Sequence, residues 1–166
     1  MPESSIMRAT ARAQPNIALI KYWGKRDRDR NLPAVGSISL TLDDLYTTMD
    51  VELDGGLDRD ELRVNGRSAQ SMLPRVARCL DTVLGADRLC ARVTSESNFP
   101  IAAGLASSAS SFAALVVAAS AAGGRPRSFD ELAGLAGRAS GSAARSLYGG
   151  FVELRKRRLR LEDVTR

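Results

Sequence analysis

Apolar and polar positions alternate along several short stretches of this chain, which is typical of strands that have one buried face. Ile38–Leu42 alternates apolar with small polar side chains, and Thr47–Leu53 and Glu61–Val64 are predicted to be further strands. Gly55-Gly56 follows the first of these two strands, and Asn65-Gly66 follows the second. Both pairs favour tight turns, so each strand is predicted to end in one.

Three more segments are predicted to be extended. Ala9–Tyr22 is interrupted at Pro15, because proline and the residue before it disfavour helix. Leu89–Thr94 returns to a strand-like pattern, and Gly149–Leu154 is predicted to be the final strand. Between the first of these segments and the next strand, Lys25–Asn31 is predicted to be a charged loop.

Helical spacing of apolar residues predicts three helices. Gln70–Leu84 is predicted to be amphipathic, and the alanine-rich Ser107–Ala122 has no glycine or proline until Gly123-Gly124 ends it. Ser128 and Glu131 are predicted to form a capping box at the start of the third helix. Strands come first in the main and helices later, which predicts an α+β fold rather than a regular βαβ alternation.

Composition narrows the class of protein. A chain of 166 residues with 44% hydrophobic and 26% charged residues is expected to be a single soluble domain. No apolar run reaches the ~18 residues that span a bilayer, and the start lacks the apolar core of a signal peptide. Cys79 and Cys90 lack metal-ligand spacing, so we expect both to be reduced in a cytoplasmic protein. The absence of histidine leaves proton chemistry to carboxylates, lysine, tyrosine or bound substrate.

The net charge of +5 is concentrated at the end of the chain. Residues 155–166 hold six basic and two acidic side chains, a net charge of +4 that leaves +1 for residues 1–154. A basic tail binds polyanions without specificity, but a solvated terminus is the preferred interpretation. We therefore expect no specific nucleic-acid partner and no membrane partner. Residues 1–8 are expected to be a disordered leader.

One segment near the start could bind an anionic ligand. Asn16–Lys25 crosses an apolar run and then offers two lysines, a tyrosine and a glycine within five residues. That composition suits a phosphorylated small molecule. On an exposed edge strand the lysines would only discourage aggregation, but Trp23 needs a packed surface and weakens that alternative.

Two further candidate segments adjoin predicted helices. Pro100–Ala109 leads into the alanine-rich helix, whose first N–H groups and dipole suit phosphate, and Ser107 and Ser108 add hydroxyls for phosphate or magnesium. A simple helix cap at Ser107 is an equal alternative. Ser140–Arg145 combines small residues with an arginine that could hold a carboxylate or a phosphate. Its alternative is a loop that ends a helix and carries a surface arginine.

In this order the segments resemble the diphosphomevalonate decarboxylase (mevalonate diphosphate decarboxylase) family. The family belongs to the galactokinase, homoserine kinase, mevalonate kinase and phosphomevalonate kinase (GHMP) superfamily. The motifs IALIKYWGK at residues 17–25 and SGSAARSLYGG at residues 140–150 are those of the decarboxylases, and the resemblance covers roughly residues 12–154. It implies an α+β fold of the GHMP N-terminal domain type, described as ribosomal protein S5 domain 2-like, in truncated form.

The resemblance also implies an activity. ATP, with Mg²⁺, would phosphorylate the tertiary 3-hydroxyl of mevalonate 5-diphosphate, and loss of phosphate and carbon dioxide would give isopentenyl diphosphate. Members of the family commonly form homodimers. Two alternatives stay open: a paralogous activity of the mevalonate kinase or phosphomevalonate decarboxylase type, and a remnant that binds ligands without turnover.

The resemblance assigns roles to matched residues. Asn16 would orient the site. The segment after the first strands would bind the substrate diphosphate: Lys21, Tyr22, Trp23, Gly24 and Lys25. Arg75 would contact the same diphosphate, and Arg145 would hold the carboxylate that is lost. The small residues before Arg145 would cradle the substrate: Ser140, Gly141, Ser142, Ala143 and Ala144. The segment that enters the alanine-rich helix would wrap the ATP phosphates: Gly104, Leu105, Ala106, Ser107 and Ser108. Within it, Ser108 would contact magnesium.

Length is the main departure from the family. Its members are about twice as long, and their C-terminal half supplies the catalytic aspartate, so no catalytic residue is assigned here. Residues 9–154 are expected to be the N-terminal domain, and residues 155–166 a basic tail without family resemblance. We therefore expect an incomplete N-terminal half, with its own turnover left open.

Overall fold

The computed structural model describes residues 7–20, 25–27, 32–33, 36–100 and 107–154. These residues form two main sheets, a short hairpin and a layer of helices. The strands are β1 (Met7–Ala13), β2 (Asn16–Ile20), β3 (Lys25–Asp27), β4 (Leu32–Pro33), β5 (Ser37–Thr41), β6 (Thr47–Leu53), β7 (Glu61–Val64), β8 (Arg67–Ser68), β9 (Ala91–Ser97) and β10 (Phe151–Leu154). The helices are α1 (Leu73–Leu84), α2 (Ser107–Ala122), α3 (Phe129–Ala139) and a 3-10 helix (Ala143–Leu147).

The larger sheet has five strands in the order β1-β6-β9-β7-β8. β6 lies antiparallel to both β1 and β9, whereas β7 and β9 are parallel and are connected through α1. β7 and β8 form the predicted hairpin, in which Asn65 and Gly66 have φ angles of 47° and 75°. Positive φ at both central positions is what a two-residue hairpin turn requires, so the predicted turn is confirmed.

The core lies between this sheet and α2. Almost the whole circumference of α2 is buried, because the helix packs on β1 and β6 and also against α1 and α3. Its alanines allow these close approaches, while Leu115 and Val116 fill the space between the layers. Gly123 ends the helix as predicted, and a side chain there would collide with Leu84 of α1. Truncation of Leu115 to alanine is expected to lower the unfolding free energy by about 2–5 kcal/mol.

The smaller sheet has three antiparallel strands in the order β10-β5-β2. Its inward face mixes polar side chains of β2 and β5 with the apolar Val152 and Leu154 of β10. Asn16, Ser37 and Ser39 are buried, whereas Ile17 is exposed and Ile38 is only half-buried. The alternation in β5 therefore marks a buried polar face and an open apolar face.

The predicted α+β class is confirmed, and most predicted elements lie within two or three residues of the observed ones. α1 begins at Leu73 rather than Gln70, with Pro74 in the first turn, where its missing N–H is not needed. α3 begins after Ser128 with both halves of the predicted capping box. β9 runs from Ala91 to Ser97 instead of from Leu89 to Thr94, because its full length pairs with β6.

Two expectations about loops are corrected. The expected leader is too long by two residues, because Met7 and Arg8 belong to β1 and pair with Leu53 and Glu52 of β6. Arg8 also forms a salt bridge with Asp50 at 3.0 Å. The expected loop Lys25–Asn31 begins with β3, which pairs with β4.

Both cysteines are free, as expected. Burial raises the pKa of the Cys79 thiol to about 12, so this side chain stays protonated. Among the described residues, no helix is long and apolar enough to cross a membrane.

Candidate functional site

The segment after α3 is a folded turn that continues into a helix, and not the irregular loop of the alternative interpretation. The Ser140 N–H donates to the Ala136 carbonyl at 2.9 Å and ends α3. The Ala143 N–H then donates to the Ser140 carbonyl at 2.9 Å, and the chain continues directly into the 3-10 helix. Ala143 and Ala144 are almost fully buried against α2 and α3, so their small size is what lets the turn pack. Gly141 and Ser142 are half-buried and form the outer part of the turn.

Asn16 fixes this turn to the start of β2. Its Nδ2 donates to the Ser142 carbonyl at 3.0 Å and to the Ser146 hydroxyl at 2.7 Å. A carbonyl can only accept, so these bonds set the orientation of the amide. Asn16 is 2% exposed, and its Oδ1 has no hydrogen-bond partner within the described part of the chain. A buried acceptor of this kind is costly unless a donor from water, ligand or further chain reaches it.

Arg145 is buried beside the same turn. Its Nη1 donates to the Ser37 hydroxyl at 2.7 Å and so connects the 3-10 helix to β5. The residue is 3% exposed, which excludes the alternative of a surface arginine. A guanidinium is charged at every accessible pH, and its planar donors match the geometry of a carboxylate or a phosphate.

Three serines belong to this polar cluster although the sequence did not identify them. Ser37 and Ser146 hold Arg145 and Asn16, respectively. Ser39 is fully buried next to them in the small sheet, and its Oγ has no partner among the residues the structure describes. The signal in the sequence was the run of small polar residues at alternate positions of β5, which was interpreted only as a half-buried strand.

A second part of the site lies where α2 begins. Ser107, Ser108 and Arg75 line a cavity of about 260 Å³ together with mainly apolar side chains. The Arg75 guanidinium lies 4.5 Å above the Phe112 ring, and its Nη2 donates to the Ala139 carbonyl at 3.0 Å. Because Ala139 immediately precedes Ser140, Arg75 joins this cavity to the turn after α3.

A chain of hydroxyls fixes the first turn of α2 to the large sheet. The Ser110 hydroxyl donates to the Ser107 carbonyl at 3.1 Å, so it must accept the proton of Thr47 Oγ1, which lies 2.8 Å away. Thr47 in turn accepts from the Ser97 hydroxyl at 2.9 Å. Thr47 and Ser110 are fully buried, so the position of Ser107 is set by the core.

A larger cleft of about 410 Å³ lies on the other side of Ser146. The Arg12 guanidinium lies 3.9 Å above the Tyr46 ring at this cleft, which Asp43 and Asp44 also line. The two carboxylates make the cleft a poorer anion site than the cavity beside Arg75, where none of the described lining residues is acidic.

Several predicted site residues cannot be compared with this geometry. Lys21, Tyr22, Trp23 and Gly24 lie outside the described residues, as do Gly104, Leu105 and Ala106. Lys25 is described only as part of the backbone of β3. Within the described ranges, no group of three acidic or cysteine side chains could hold a metal ion.

The fold and the site together define an α+β domain with buried cationic and hydroxyl groups suited to phosphate and carboxylate. A family model described as the diphosphomevalonate decarboxylase-like N-terminal domain matches residues 13–163. The chain therefore belongs to the diphosphomevalonate decarboxylase-like family. The match continues nine residues past Leu154, into the segment that was expected to lack family resemblance.

Similar proteins agree with this assignment. The chain is 43% identical over 159 residues to the diphosphomevalonate decarboxylase of Candida albicans, a match that covers 87% of the chain and 44% of the relative. The solved mevalonate diphosphate decarboxylase of Enterococcus faecalis is 42% identical, with a TM-score of 0.85 over 92% of the chain and 48% of that protein. For the Staphylococcus aureus enzyme the TM-score is 0.83 at 41% identity, over 91% and 46%. The chain thus spans less than half the length of the relatives that it matches.

Proposed function

We propose that this chain binds the substrates of an ATP-dependent decarboxylation of mevalonate 5-diphosphate. In that reaction the γ-phosphate of ATP is transferred to the tertiary 3-hydroxyl. The C3–O bond then breaks with loss of phosphate, the carboxyl C–C bond breaks with loss of carbon dioxide, and the electron pair of that bond forms the alkene of isopentenyl diphosphate. The observation that carries the proposal is the buried Arg145 guanidinium, which lies within the residues that the family model matches.

The polar cluster around the turn supplies the substrate contacts in this proposal. Arg145, held by Ser37, binds the carboxylate that is lost, and Asn16 presents its buried Oδ1 to a substrate hydroxyl. Ser140 and Ser142 lie with their hydroxyls 3.5 Å apart and cradle the same molecule. Lys21 to Lys25 bind its diphosphate through side chains that lie beyond the described residues.

ATP is proposed to bind at the cavity beside the start of α2. Ser107 and Ser108 offer hydroxyls to its phosphates next to the Arg75 guanidinium, and Gly104–Ala106 complete the wrapping segment. No carboxylate lines the described part of the cavity, so it fits a magnesium ion held mainly by phosphate oxygens, with Ser108 as one protein ligand. Magnesium bound there would neutralise phosphate charge during transfer.

Coupling between the binding of the two ligands is part of the proposal. The solved Enterococcus faecalis structure is described as showing mevalonate diphosphate-mediated ATP binding. In the present chain Arg75 connects the proposed ATP cavity to the proposed substrate turn through Ala139. We therefore expect mevalonate 5-diphosphate to increase the affinity for ATP. Linkage requires that ATP increase the affinity for mevalonate 5-diphosphate by the same factor.

Calorimetric titration with mevalonate 5-diphosphate tests the binding proposal. Arg145→Lys keeps the charge but loses the planar pair of donors, so we expect at least a tenfold loss of affinity, or about 1.4 kcal/mol. Arg138→Lys in the last turn of α3 is the matched control, because Arg138 is exposed. Equal affinity of the Arg145→Lys variant and the unmodified chain would refute the assigned role.

Turnover is measured separately from binding. Substrate labelled at the carboxyl carbon is incubated with the chain, ATP and magnesium, and released labelled carbon dioxide is counted. ATP-dependent release would support decarboxylation. A stable phosphorylated product without carbon dioxide would mean a kinase instead, and binding without either product would mean a ligand-binding unit.

A further inference from the structure

Thr41 lies beside the proposed substrate site, although neither its position in the sequence nor the proposed chemistry gives it a role. It ends β5, directly opposite Asn16 of β2. Its hydroxyl donates to the Tyr148 carbonyl at 2.7 Å, and its own N–H donates to the Gly150 carbonyl at 3.0 Å. Thr41 therefore binds the chain at the point where the 3-10 helix ends and β10 is about to begin.

Together, Asn16 and Thr41 hold the 3-10 helix at both of its ends. Asn16 binds the Ser142 carbonyl just before the helix, and Thr41 binds the Tyr148 carbonyl just after it. The two side chains form one directly opposed pair of β2 and β5, so both ends of the helix are tied to the same position in the small sheet. A 3-10 helix has poor hydrogen-bond geometry of its own, and its orientation therefore depends on such contacts.

Arg145 lies in the middle of this helix and is held by the same strand. The Tyr148 N–H donates to the Arg145 carbonyl at 3.3 Å, so the residue that Thr41 binds is bonded in turn to Arg145. The Arg145 guanidinium donates to the hydroxyl of Ser37, which begins β5. Ser37 and Thr41 share one face of the strand and lie about 13 Å apart along it. Ser37 holds the tip of the arginine side chain, and Thr41 holds its backbone.

The exit of the 3-10 helix needs such support. Gly149 and Gly150 follow Tyr148, and the φ angle of 71° at Gly150 lies in the region that favours glycine. Because glycine leaves the backbone more conformational freedom than any other residue, contacts with the rest of the protein must fix this exit. The Thr41 hydroxyl supplies one such contact. The Phe129 ring, whose centroid lies 5.9 Å from that of Tyr148, supplies another.

We propose that Thr41 is a positioning residue for Arg145. Its hydroxyl fixes the 3-10 helix, so the guanidinium keeps one direction and meets the carboxylate of the substrate with its planar pair of donors. Thr41 acts through Tyr148 and the backbone, without touching the substrate. The inference rests on the proposed function, in which Arg145 binds the carboxylate of mevalonate 5-diphosphate. Removal of the hydroxyl should therefore weaken recognition of the carboxylate more than recognition of the diphosphate.

Calorimetric titration of three variants tests this role. Thr41→Val keeps the shape of the side chain and removes its donor, whereas Thr41→Ser keeps the hydroxyl. Thr94→Val is the matched control, because Thr94 is also a half-buried strand threonine but lies in the large sheet. Each protein is titrated with mevalonate 5-diphosphate and with isopentenyl diphosphate, which lacks the carboxylate. The preference for the substrate is the dissociation constant of isopentenyl diphosphate divided by that of mevalonate 5-diphosphate.

We expect Thr41→Val to reduce this preference by about fivefold, which corresponds to one net hydrogen bond. Thr41→Ser should stay within about twofold of the unmodified chain, because a serine hydroxyl can make the same bond. Thr94→Val should leave the preference unchanged. A lower melting temperature of Thr41→Val with an unchanged preference would overturn the proposal, since it would show a structural role alone. An equal loss of preference in Thr41→Ser would also overturn it, because the hydroxyl would then not be the cause.

Amide hydrogen exchange in the ligand-free chain separates failure of this inference from failure of the proposed function. Thr41→Val should accelerate exchange of the Arg145 and Tyr148 N–H groups about tenfold, whereas Thr94→Val should not. If the unmodified chain binds both diphosphates equally, the role proposed for Arg145 in carboxylate binding is wrong, and faster exchange in Thr41→Val would still support its positioning by Thr41. Unchanged exchange would overturn the inference, whichever ligand the chain prefers.

Discussion

Asn16 holds together two segments that lie 126 residues apart in the sequence. It begins β2 directly after Pro15, at the point where the chain passes from the large sheet to the small one. Its amide donates hydrogen bonds to Ser142 and Ser146. The position of β2 relative to the turn that carries Arg145 therefore depends on this one side chain. The residue is therefore a structural support of the site as well as a proposed ligand contact.

Asn16→Asp is expected to lower the unfolding free energy by about 3 kcal/mol. The substitution removes the donor to the Ser142 carbonyl and places a buried carboxylate against that oxygen, which combines a lost hydrogen bond with an unpaired charge. Denaturant unfolding measures the change. Gln14→Glu, two residues earlier and bonded only at the surface to Asp43, should cost less than about 1 kcal/mol. Equal losses for the two variants would contradict the role given to Asn16.

The sequence identified Arg145 and Asn16 better than the residues that support them. Arg145 stands in one motif of the decarboxylases and Asn16 directly precedes the other, so both were named before their contacts were known. Ser37 and Ser39 of β5 and Ser146 of the 3-10 helix were missed, because a serine carries no local sign that its hydroxyl faces a buried arginine or asparagine. That information resides in the packing of β5 against the 3-10 helix, which joins distant parts of the chain.

At the scale of elements, α3 begins with a complete capping box and ends at the turn that carries Arg145. The Ser128 hydroxyl accepts from the Glu131 N–H at 3.3 Å, and the Glu131 carboxylate accepts from the Ser128 N–H at 2.8 Å. The helix then ends at Ser140, the first residue of the turn. Hydrogen bonds from the Ser128 N–H and hydroxyl lower the pKa of the Glu131 carboxyl.

Ser128→Ala is expected to lower the unfolding free energy by about 1 kcal/mol, because the first turn of α3 loses its cap. Ser128→Asn is the control, since its side-chain oxygen can replace the hydroxyl as acceptor and should retain most of the stability. Because the folded-state pKa of Glu131 is lowered, the box stabilises the protein above the ordinary carboxyl pKa and loses this effect as the pH falls. Thermal unfolding at neutral and acidic pH checks both points, and identical curves for the alanine and asparagine variants would contradict them.

Asp60 fixes the starts of the parallel strands β7 and β9. Its carboxylate accepts from Arg88 at 2.6 Å and from the Ala91 N–H at 2.8 Å. Partial burial alone would raise the pKa of Asp60, but these hydrogen bonds outweigh it and the pKa is lowered. The ionised side chain therefore stabilises the fold above its unfolded-state pKa, and this contribution disappears as the pH falls through the lowered value.

Asp60→Asn should lower the unfolding free energy at neutral pH by about 1 kcal/mol and should make the loss of stability toward pH 3 shallower. Asp58→Asn is the matched control, because Asp58 is exposed two residues earlier. Urea titrations at neutral pH and at pH 3 measure the change in unfolding free energy that each of the two variants causes. A variant whose acid sensitivity equals that of the unmodified chain would exclude Asp60 as a source of that sensitivity.

Local sequence patterns predicted the positions of strands and helices better than they predicted which strands pair with one another. Strand and helix periodicity located most elements, and the capping box and the Asn65-Gly66 turn were found where expected. The assignment of β1 and β2 to different sheets was not predictable from Ala9–Tyr22, because Pro15 shows an interruption but not which strands lie on each side of it. Partner choice is set by contacts between distant segments, as in the pairing of β1 with β6.

At the scale of the molecule, the described residues form a sheet-and-helix core and a smaller sheet beside it. The large sheet, α2 and the flanking helices close the core, while the small sheet turns the buried polar groups of β2 and β5 inward, beside Val152 and Leu154 of β10. The proposed substrate cluster lies on the inward face, so ligand binding acts on the packing between the small sheet and the helices. A ligand that binds there should stabilise the entire fold rather than one loop.

Mevalonate 5-diphosphate is therefore expected to raise the melting temperature. At a concentration of 100 times its dissociation constant, binding adds about 2.7 kcal/mol, which corresponds to roughly 5–10 °C for a domain of this size. Isopentenyl diphosphate is the matched control, because it keeps the diphosphate and lacks the carboxylate. If Arg145 holds the carboxylate, the substrate must stabilise the chain more than the product does at equal concentration, and Arg145→Lys must reduce that difference. Equal shifts for the two ligands would show that the diphosphate alone is recognised, and the turn after α3 would then have no part in selecting the substrate.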